Sequence, residues 1–592
     1  MKIRSKSILP LLIITVTLGA YAQGSGCDCS IAPVQLTCEY LANPSGLDVK
    51  QPRFSWKLQA TNEAAHGQRQ TAYRILVAGS RQQLDSHRGD MWDSGWVPSD
   101  AMQLIKYNGK PLQSDRRYFW KVSVKDERGN ESGLGEVAEW STGLFTRQEW
   151  TAKWIGTGEA YDPAEGGNKM QDPWFRKTFD LDEKPSKATL FVASVGYHEV
   201  YVNGQKMGDH LLAPAVTDHT KRARYIAYEI APALEQGNNV IALWLGTSWS
   251  IYAPYATADK PRAPIVIAQA DLFDEKGKKS RRITTDESWK TYPSPNKLTG
   301  NWGFGVGGYG GEIWDARKEV KGWNLAGYDD RTWEHVHVFT PALALSAQQV
   351  ETNRMIDEIK PVDIESRPDG SYRIDMGVNF AGVTEIRVKG NPGDTIRFSF
   401  SERAQEEMTF NLQSAYVMGT SGEGLFQNRF NYMSGRWITI KGASSPPRKE
   451  DIKGWMVRTG FGDATTFACS DSLQNWIYNT VKWTFENLSL GGYIVDCPQR
   501  ERFGYGGDAH ATSETGLLNY KLGAFYSKWL EDWRDVQGTE PMVGNMNNPD
   551  WARKQEGSGR YLGGGILPQT APTYHGFPGR LALAGSDSRG DE

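Results

Sequence analysis

A chain of 592 residues is too long for one hydrophobic core, and at roughly 150 residues per domain it calls for about four units. Its formal net charge of -3, with no dense Lys/Arg tract, argues against a nucleic-acid or anionic-membrane partner. The 22 Trp, 25 Tyr and 21 Phe suit sugar-stacking surfaces and β-sandwich cores alike, and for any single ring burial is the commoner fate.

At the N-terminus Lys2, Arg4 and Lys6 precede an apolar stretch from Ile8 to Leu18, and Ala20-Tyr21-Ala22 offers a small-x-small cleavage site before Gln23. That pattern predicts a signal peptide over residues 1–22 and an exported protein, periplasmic or extracellular. A lipoprotein reading through Cys27 is weaker, because Gly24-Ser25-Gly26 lacks the usual leucine. The apolar stretch is too short to span a bilayer, and no later run reaches the roughly 18 residues a span needs. Five cysteines are too few for a disulfide scaffold, although one bridge among Cys27, Cys29 and Cys38 is expected, with Cys469 and Cys497 far away. No second Cys/His pair accompanies Cys27 and Cys29, so no metal and no cofactor is expected.

Residues 31–147 show short alternating strands at Arg53 to Leu58, Tyr73 to Ala78 and Tyr118 to Lys125, the last ending in a turn over Asp126 to Gly129. They predict a β-sandwich with Trp56 and Trp120 in its core. A second β-region, 150–350, carries strands at Ala188 to Val195, His198 to Val202 and Asn239 to Leu245, with Asn203-Gly204 as a hairpin turn. Gly305, Gly307 and Gly310 satisfy GxGxxG, but neither the strand before nor the helix after that a dinucleotide site requires is present. A third β-sandwich, 355–460, has strands at Ser371 to Met376, Thr384 to Lys389 and Thr395 to Ser401, with a turn at Asn391-Pro392-Gly393-Asp394.

From about residue 466 the period changes to helical. Ser470 or Asp471 can cap a helix whose apolar residues Leu473, Ile477, Val481, Phe485 and Leu488 form one stripe to be buried. Leu522, Phe525, Tyr526, Trp529, Leu530 and Trp533 repeat that geometry. Between them lies DCPQRERFGYGGD, Asp496 to Asp508, with three carboxylates, two arginines and four turn formers in thirteen positions. Pro498, Gly504, Gly506 and Gly507 predict a loop, which can fold Asp496, Glu501 and Asp508 toward one cavity. Asp508 could equally cap the helix that follows. The chain holds no HExxH and no GxSxG, which removes the commonest signals for metal and serine hydrolases.

The loop resembles the signature of family 78 glycoside hydrolases, the bacterial α-L-rhamnosidases: Asp-Cys-Pro-x-Arg, a catalytic Glu, Arg, a Gly-aromatic pair and Gly-Asp. Many members have an extra acidic residue before the Glu and a Trp after the Gly, where this chain has the shorter spacing and Tyr505. The resemblance extends to the β-regions, as a fibronectin-III-like domain over 31–147 and a jelly roll over 150–350 that includes Tyr309-Gly310-Gly311-Glu312. It implies a multidomain protein with three N-terminal all-β sandwich or jelly-roll domains and the start of an (α/α)6 barrel over 466–592. It also implies an inverting hydrolase acting on terminal α-L-rhamnose of an oligosaccharide or glycoside. Glu501 is then the general acid, and Asp496, Arg500, Tyr505 and Asp508 bind the sugar. Like charges at Asp496 and Asp508 would keep Glu501 protonated; Arg500 and Arg502 would oppose that unless they point elsewhere or pair with the aspartates.

The family-like sequence continues through Leu567 to Pro572 and on to His575-Gly576-Phe577, after which Pro578 to Glu592 is small, charged and aperiodic. Only about a third of a twelve-helix barrel fits after Cys469. The expectation is a frameshifted or truncated product without the downstream Glu base, inactive as written, with apolar faces such as the Trp529/Trp533 stripe left exposed. The alternative function is then a non-catalytic carbohydrate-binding protein.

Overall fold

The computed structural model describes residues 29–62, 66–133, 135–161, 170–303 and 308–536. The expected signal peptide, Cys27, Gly305, Gly307 and the tail beyond Val536 lie outside them. The described chain is mostly β, with helices gathered at its C-terminal end.

The first region folds as two antiparallel sheets, Ile31–Cys38, Arg53–Ala60 and Ile105–Lys106 against Trp92–Asp93, Ala72–Ala78, Arg117–Lys125 and Ala138–Ser141. Alternation along each strand buries Phe54, Trp56, Trp120 and Trp140 between the sheets. The Phe54 and Trp120 rings lie 4.4 Å apart, and the Trp56 indole donates to the Gln70 amide oxygen at 3.0 Å. Cys38 keeps a free thiol. A bridge to Cys29 is ruled out by the strand Ile31–Cys38, which ends at Cys38 while Cys29 lies two residues before its start, roughly 25 Å away at a strand's rise and far beyond disulfide reach.

The second region packs a seven-stranded sheet, containing Lys187–Val195, Arg222–Glu229 and Ile265–Phe273, on a sheet containing Tyr197–Val202, Gly237–Gly246, Gln171–Leu181 and Lys290–Leu298. Leu190, Val192, Val200 and Leu243 fill the space between them. Asn203 and Gly204 both adopt positive φ, 49° and 86°, as the tight turn from Tyr197–Val202 into Gln205–Lys206 requires. Gly310 leads into a strand, Glu312–Asp315, where a dinucleotide fold would start a helix.

The sequence suggests a break near residue 350, yet the sheet continues across it. Glu312–Asp315 pairs in parallel with Gln413–Val417, so one fifteen-stranded sheet runs from the second region into the third. The two strands expected at Ser371 to Met376 and Thr384 to Lys389 form one long strand, Tyr372–Lys389, whose register shifts between Asp375 and Phe380 next to Gly377 at φ 80°.

Three helices follow: α1 (Ser472–Leu488), α2 (Gly506–Asn519) and α3 (Gly523–Val536). Asp471 caps α1, accepting from the Leu473 and Gln474 amides at 2.8 and 3.2 Å. Among the described residues these helices begin a helical layer and do not close a barrel. Two burial expectations reverse. In α1 only the C-terminal end docks on the sheet, through buried Phe485 and through Asn487, which accepts from the Ala381 amide at 2.7 Å; Leu473, Ile477 and Val481 stay 45–62% exposed. Trp529 and Trp533 of α3, expected to stand exposed, are buried, because α3 lies against the second β-region. Its Asp532 carboxylate meets Arg224 at 2.9 Å, the Thr217 hydroxyl at 2.8 Å and Lys528 at 2.6 Å, and Arg222 pairs with Asp535 at 2.6 Å. Glu531 also pairs with Arg224, at 2.9 Å.

Candidate active site

The segment between α1 and α2 is a loop as far as Tyr505. Gly506, Gly507 and Asp508, expected to belong to it, instead form the first turn of α2, where orphan amides make few demands on the side chain. Tyr505 is therefore the N-cap residue, without a side-chain capping bond, and Asp508 is the third helical residue. The loop folds back on itself because the Asp496 amide donates to the Phe503 carbonyl at 2.9 Å while the Asp496 carboxylate accepts from the Phe503 amide at 2.9 Å. Gly504 sits where a Cβ would come within 2.8 Å of the Tyr493 ring and 3.2 Å of the Trp529 indole nitrogen, so no larger residue fits.

This closure brings Asp496 and Glu501 into hydrogen-bond contact through their carboxyl groups. Two carboxyls in contact hold one proton between them up to about pH 7, since like charges at that distance resist ionising together. Asp496 is its principal holder. Burial, then the bond to Glu501, pushes Asp496 up to about 7. Burial raises Glu501 as well, but the bonds from Asp496 and Tyr505 and the Arg500 charge outweigh it and hold Glu501 below the usual carboxylate range. The Tyr505 hydroxyl donates to Glu501 Oε2 at 2.9 Å, and Arg500 pairs with Oε1 at 2.8 Å.

The expectation that neighbouring charges keep Glu501 itself protonated is thus reversed, since Asp496 and Tyr505 bond Glu501 and Arg500 turns to it and not to an aspartate. Asp508 is raised by burial and by the Glu501 charge, against a hydrogen bond from its own amide. Four of the five residues singled out in the sequence, Asp496, Arg500, Glu501 and Tyr505, form one contact cluster, with Asp508 within electrostatic range of Glu501. Cys497, not singled out, bonds the Asp496 carboxyl, and burial with the Asp496 charge pushes its thiol up to about 12.

Other residues missed in the sequence come from the β-regions. The Tyr309 hydroxyl donates to the Glu501 carbonyl oxygen. Asn431 and Tyr432 receive Arg502, which points away from the carboxylates. Tyr309 had a signal, its place in the family-like Tyr309-Gly310-Gly311-Glu312 stretch; Asn431 and Tyr432 had none. Among the described residues no three His, Cys, Asp or Glu side chains gather as a metal site. No described helix is long and apolar enough to cross a membrane.

Four family models match the chain in order: a Rha78A-like N-terminal immunoglobulin domain over residues 33–146, the alpha-L-rhamnosidase N-terminal domain over 183–357, the bacterial alpha-L-rhamnosidase concanavalin-like domain over 365–458, and the bacterial alpha-L-rhamnosidase 6 hairpin glycosidase domain over 462–580. An alpha-L-rhamnosidase of Formosa agariphila is 30% identical over 86% of this chain and 56% of its own length. The solved alpha-L-rhamnosidase from Dictyoglumus thermophilum superposes with a TM-score of 0.79 at 33% identity, over 86% of this chain and 58% of that one. The Streptomyces avermitilis enzyme, solved with L-rhamnose, shares the fold with a TM-score of 0.75 at 23% identity, over 87% of this chain and 67% of that one. The chain spans 54–66% of the length of four curated relatives it matches. With four domain models of one enzyme family in succession along it, the chain belongs to the bacterial α-L-rhamnosidases, glycoside hydrolase family 78.

Proposed function

We propose that the protein is an exported α-L-rhamnosidase that removes terminal α-L-rhamnose from glycans or glycosides with inversion. In this reading three β-domains precede an (α/α)6 catalytic domain. The observation that carries it is the closure of the Asp496–Tyr505 loop, which sets the Asp496 carboxyl against that of Glu501 and places Tyr505 and Arg500 on Glu501, in a member of the rhamnosidase family. Glycoside cleavage needs a proton for the departing oxygen and a carboxylate on the opposite face of the sugar to activate water. Glu501, with 16% of its side chain exposed, is the acid that delivers the proton, and Asp496 is its reservoir. A glycosidic oxygen entering beside Glu501 competes with the Tyr505 hydroxyl and Arg500, which favours return of the shared proton to Glu501. Asp496, Arg500, Tyr505 and Asp508 hold the sugar hydroxyls, and the resemblance places the base downstream of the loop.

The test is calorimetric binding of L-rhamnose together with release of L-rhamnose from an aryl α-L-rhamnoside, followed by NMR of the first anomer formed. Saturable binding with release of the inverted anomer supports the whole reading. Binding without release assigns only the acid side of the site to this chain. A protein that does neither overturns the proposal.

A further inference from the structure

We infer that Arg502 and Tyr309 are positioning residues for Glu501, so that the two β-regions, and not the helical segment alone, set where the acid stands; the inference rests on the rhamnosidase reading above. Arg502 is fully buried beside a Glu501 whose side chain is 16% exposed, and it holds a φ of 59°, a left-handed conformation that arginine keeps only where its surroundings fix it. Each arm of its guanidinium is used. Nη1 donates to Asn431 Oδ1 at 2.7 Å, Nη2 to the Tyr432 carbonyl at 2.9 Å, and Nε back to the Pro498 carbonyl within the loop at 2.8 Å. The plane lies over aromatic faces, 3.7 Å from the Tyr432 ring centroid and 4.6 Å from that of Tyr309.

Among the described residues Arg502 makes no ion pair. Carbonyls, an amide oxygen and ring faces balance its charge, so what it supplies to the loop is attachment rather than neutralisation of a carboxylate. A lysine would bring the charge without the planar fork. Tyr309 completes the clamp from the second β-region, because its hydroxyl takes the Glu501 carbonyl while its ring supports the guanidinium of the next residue. The backbone just after the Glu501 Cα is thereby pinned to segments that lead into the strands Glu312–Asp315 and Met433–Lys441, outside the helical segment, and the direction of the Glu501 side chain toward Asp496 and Tyr505 follows from that pinning.

Y309F and R502K test this in the full chain. Y309F keeps the ring and deletes one hydroxyl; R502K keeps the charge and deletes the fork. The clamp predicts that Y309F lowers kcat on rhamnosides by about tenfold or more, with KM within about threefold, since misplacing a reacting group by a fraction of an ångström costs rate more than binding. R502K should lose more. Independently of turnover, the Asp496 carboxyl followed by carbon-13 NMR should move about one pH unit or more toward the ordinary aspartate value in both variants, because the two carboxyls would no longer be held in contact. If the wild type neither binds nor releases rhamnose, the rhamnosidase reading fails and the carboxyl titration alone judges the clamp. Folded Y309F with unchanged kcat and unchanged titration overturns it, as does a lowered melting temperature with the titration unmoved.

Discussion

Asp496 and Glu501 divide one proton unevenly, and the division has a pH signature. Asp496 loses its proton as pH rises through about 7, so the protonated pair exists below that value and disappears above it. Rhamnoside turnover is therefore expected to fall on the alkaline side of about pH 7, and D496N, which cannot store the proton, should move that limb in a kcat/KM profile. E501Q keeps size and hydrogen bonding but removes the transferable proton, so turnover of rhamnosides with poor leaving groups should fall by a factor on the order of 100 to 10,000. Activated aryl rhamnosides should suffer less; equal and small losses on both would remove Glu501 from the acid role. D508N should weaken L-rhamnose binding by about 1 to 3 kcal/mol in calorimetry with the melting temperature retained, because Asp508 is not the cap of α2. The loop that carries Asp496 and Glu501 was legible because Pro and Gly crowd that stretch, while Arg500 and Tyr505 entered only through the family resemblance. The direction of the Glu501 shift was not legible, since it turns on the bonds that Asp496 and Tyr505 give Glu501 and then on Arg500 pairing with it, rotamer choices that composition does not encode.

The helices show what periodicity carries and what it omits. A 3.6-residue apolar pattern identifies a face, as it did for α1 and α3, but says nothing of what covers that face. Trp529 and Trp533 are buried because Arg222, Arg224 and Thr217, some 300 residues earlier, bring carboxylates of α3 down onto the sheet. Asp532 and Lys528 are fully buried, so D532A would leave Lys528 and Arg224 without their shared carboxylate and should cost about 3 to 5 kcal/mol in urea unfolding. K528M combined with D532L removes both charges and should lose less. The outer face of α1 behaves differently. Leu473, Trp476, Ile477 and Val481 are exposed, so I477E with V481K should reduce hydrophobic-dye binding and leave the urea midpoint nearly unchanged.

Over the whole molecule, alternation and turn chemistry made the β-regions visible, and the Asn203-Gly204 turn and the Trp56 and Trp120 core positions follow from local rules. The parallel pairing of Glu312–Asp315 with Gln413–Val417 was invisible, because it joins segments about 100 residues apart that carry no complementary pattern. That pairing makes one sheet of two regions. Residues 170–460 are accordingly expected to unfold as a single cooperative unit by hydrogen exchange, distinct from the N-terminal sandwich with its own core. Separate protection of the second and third regions would contradict it.

The reach of Tyr309 to Glu501, 192 residues along the chain, also fixes an order of events. A polypeptide emerges N-terminus first, and its domains fold as units in that order. At ordinary synthesis rates Tyr309 leaves the ribosome about 10 to 40 s before Glu501. The surface that receives the loop can therefore exist before the loop is made, as a mould exists before the casting. A defect in the β-regions that never touches the sugar would then be inherited by the acid, and variants at Asn431 or Tyr309 would read in an activity screen as faults of Glu501.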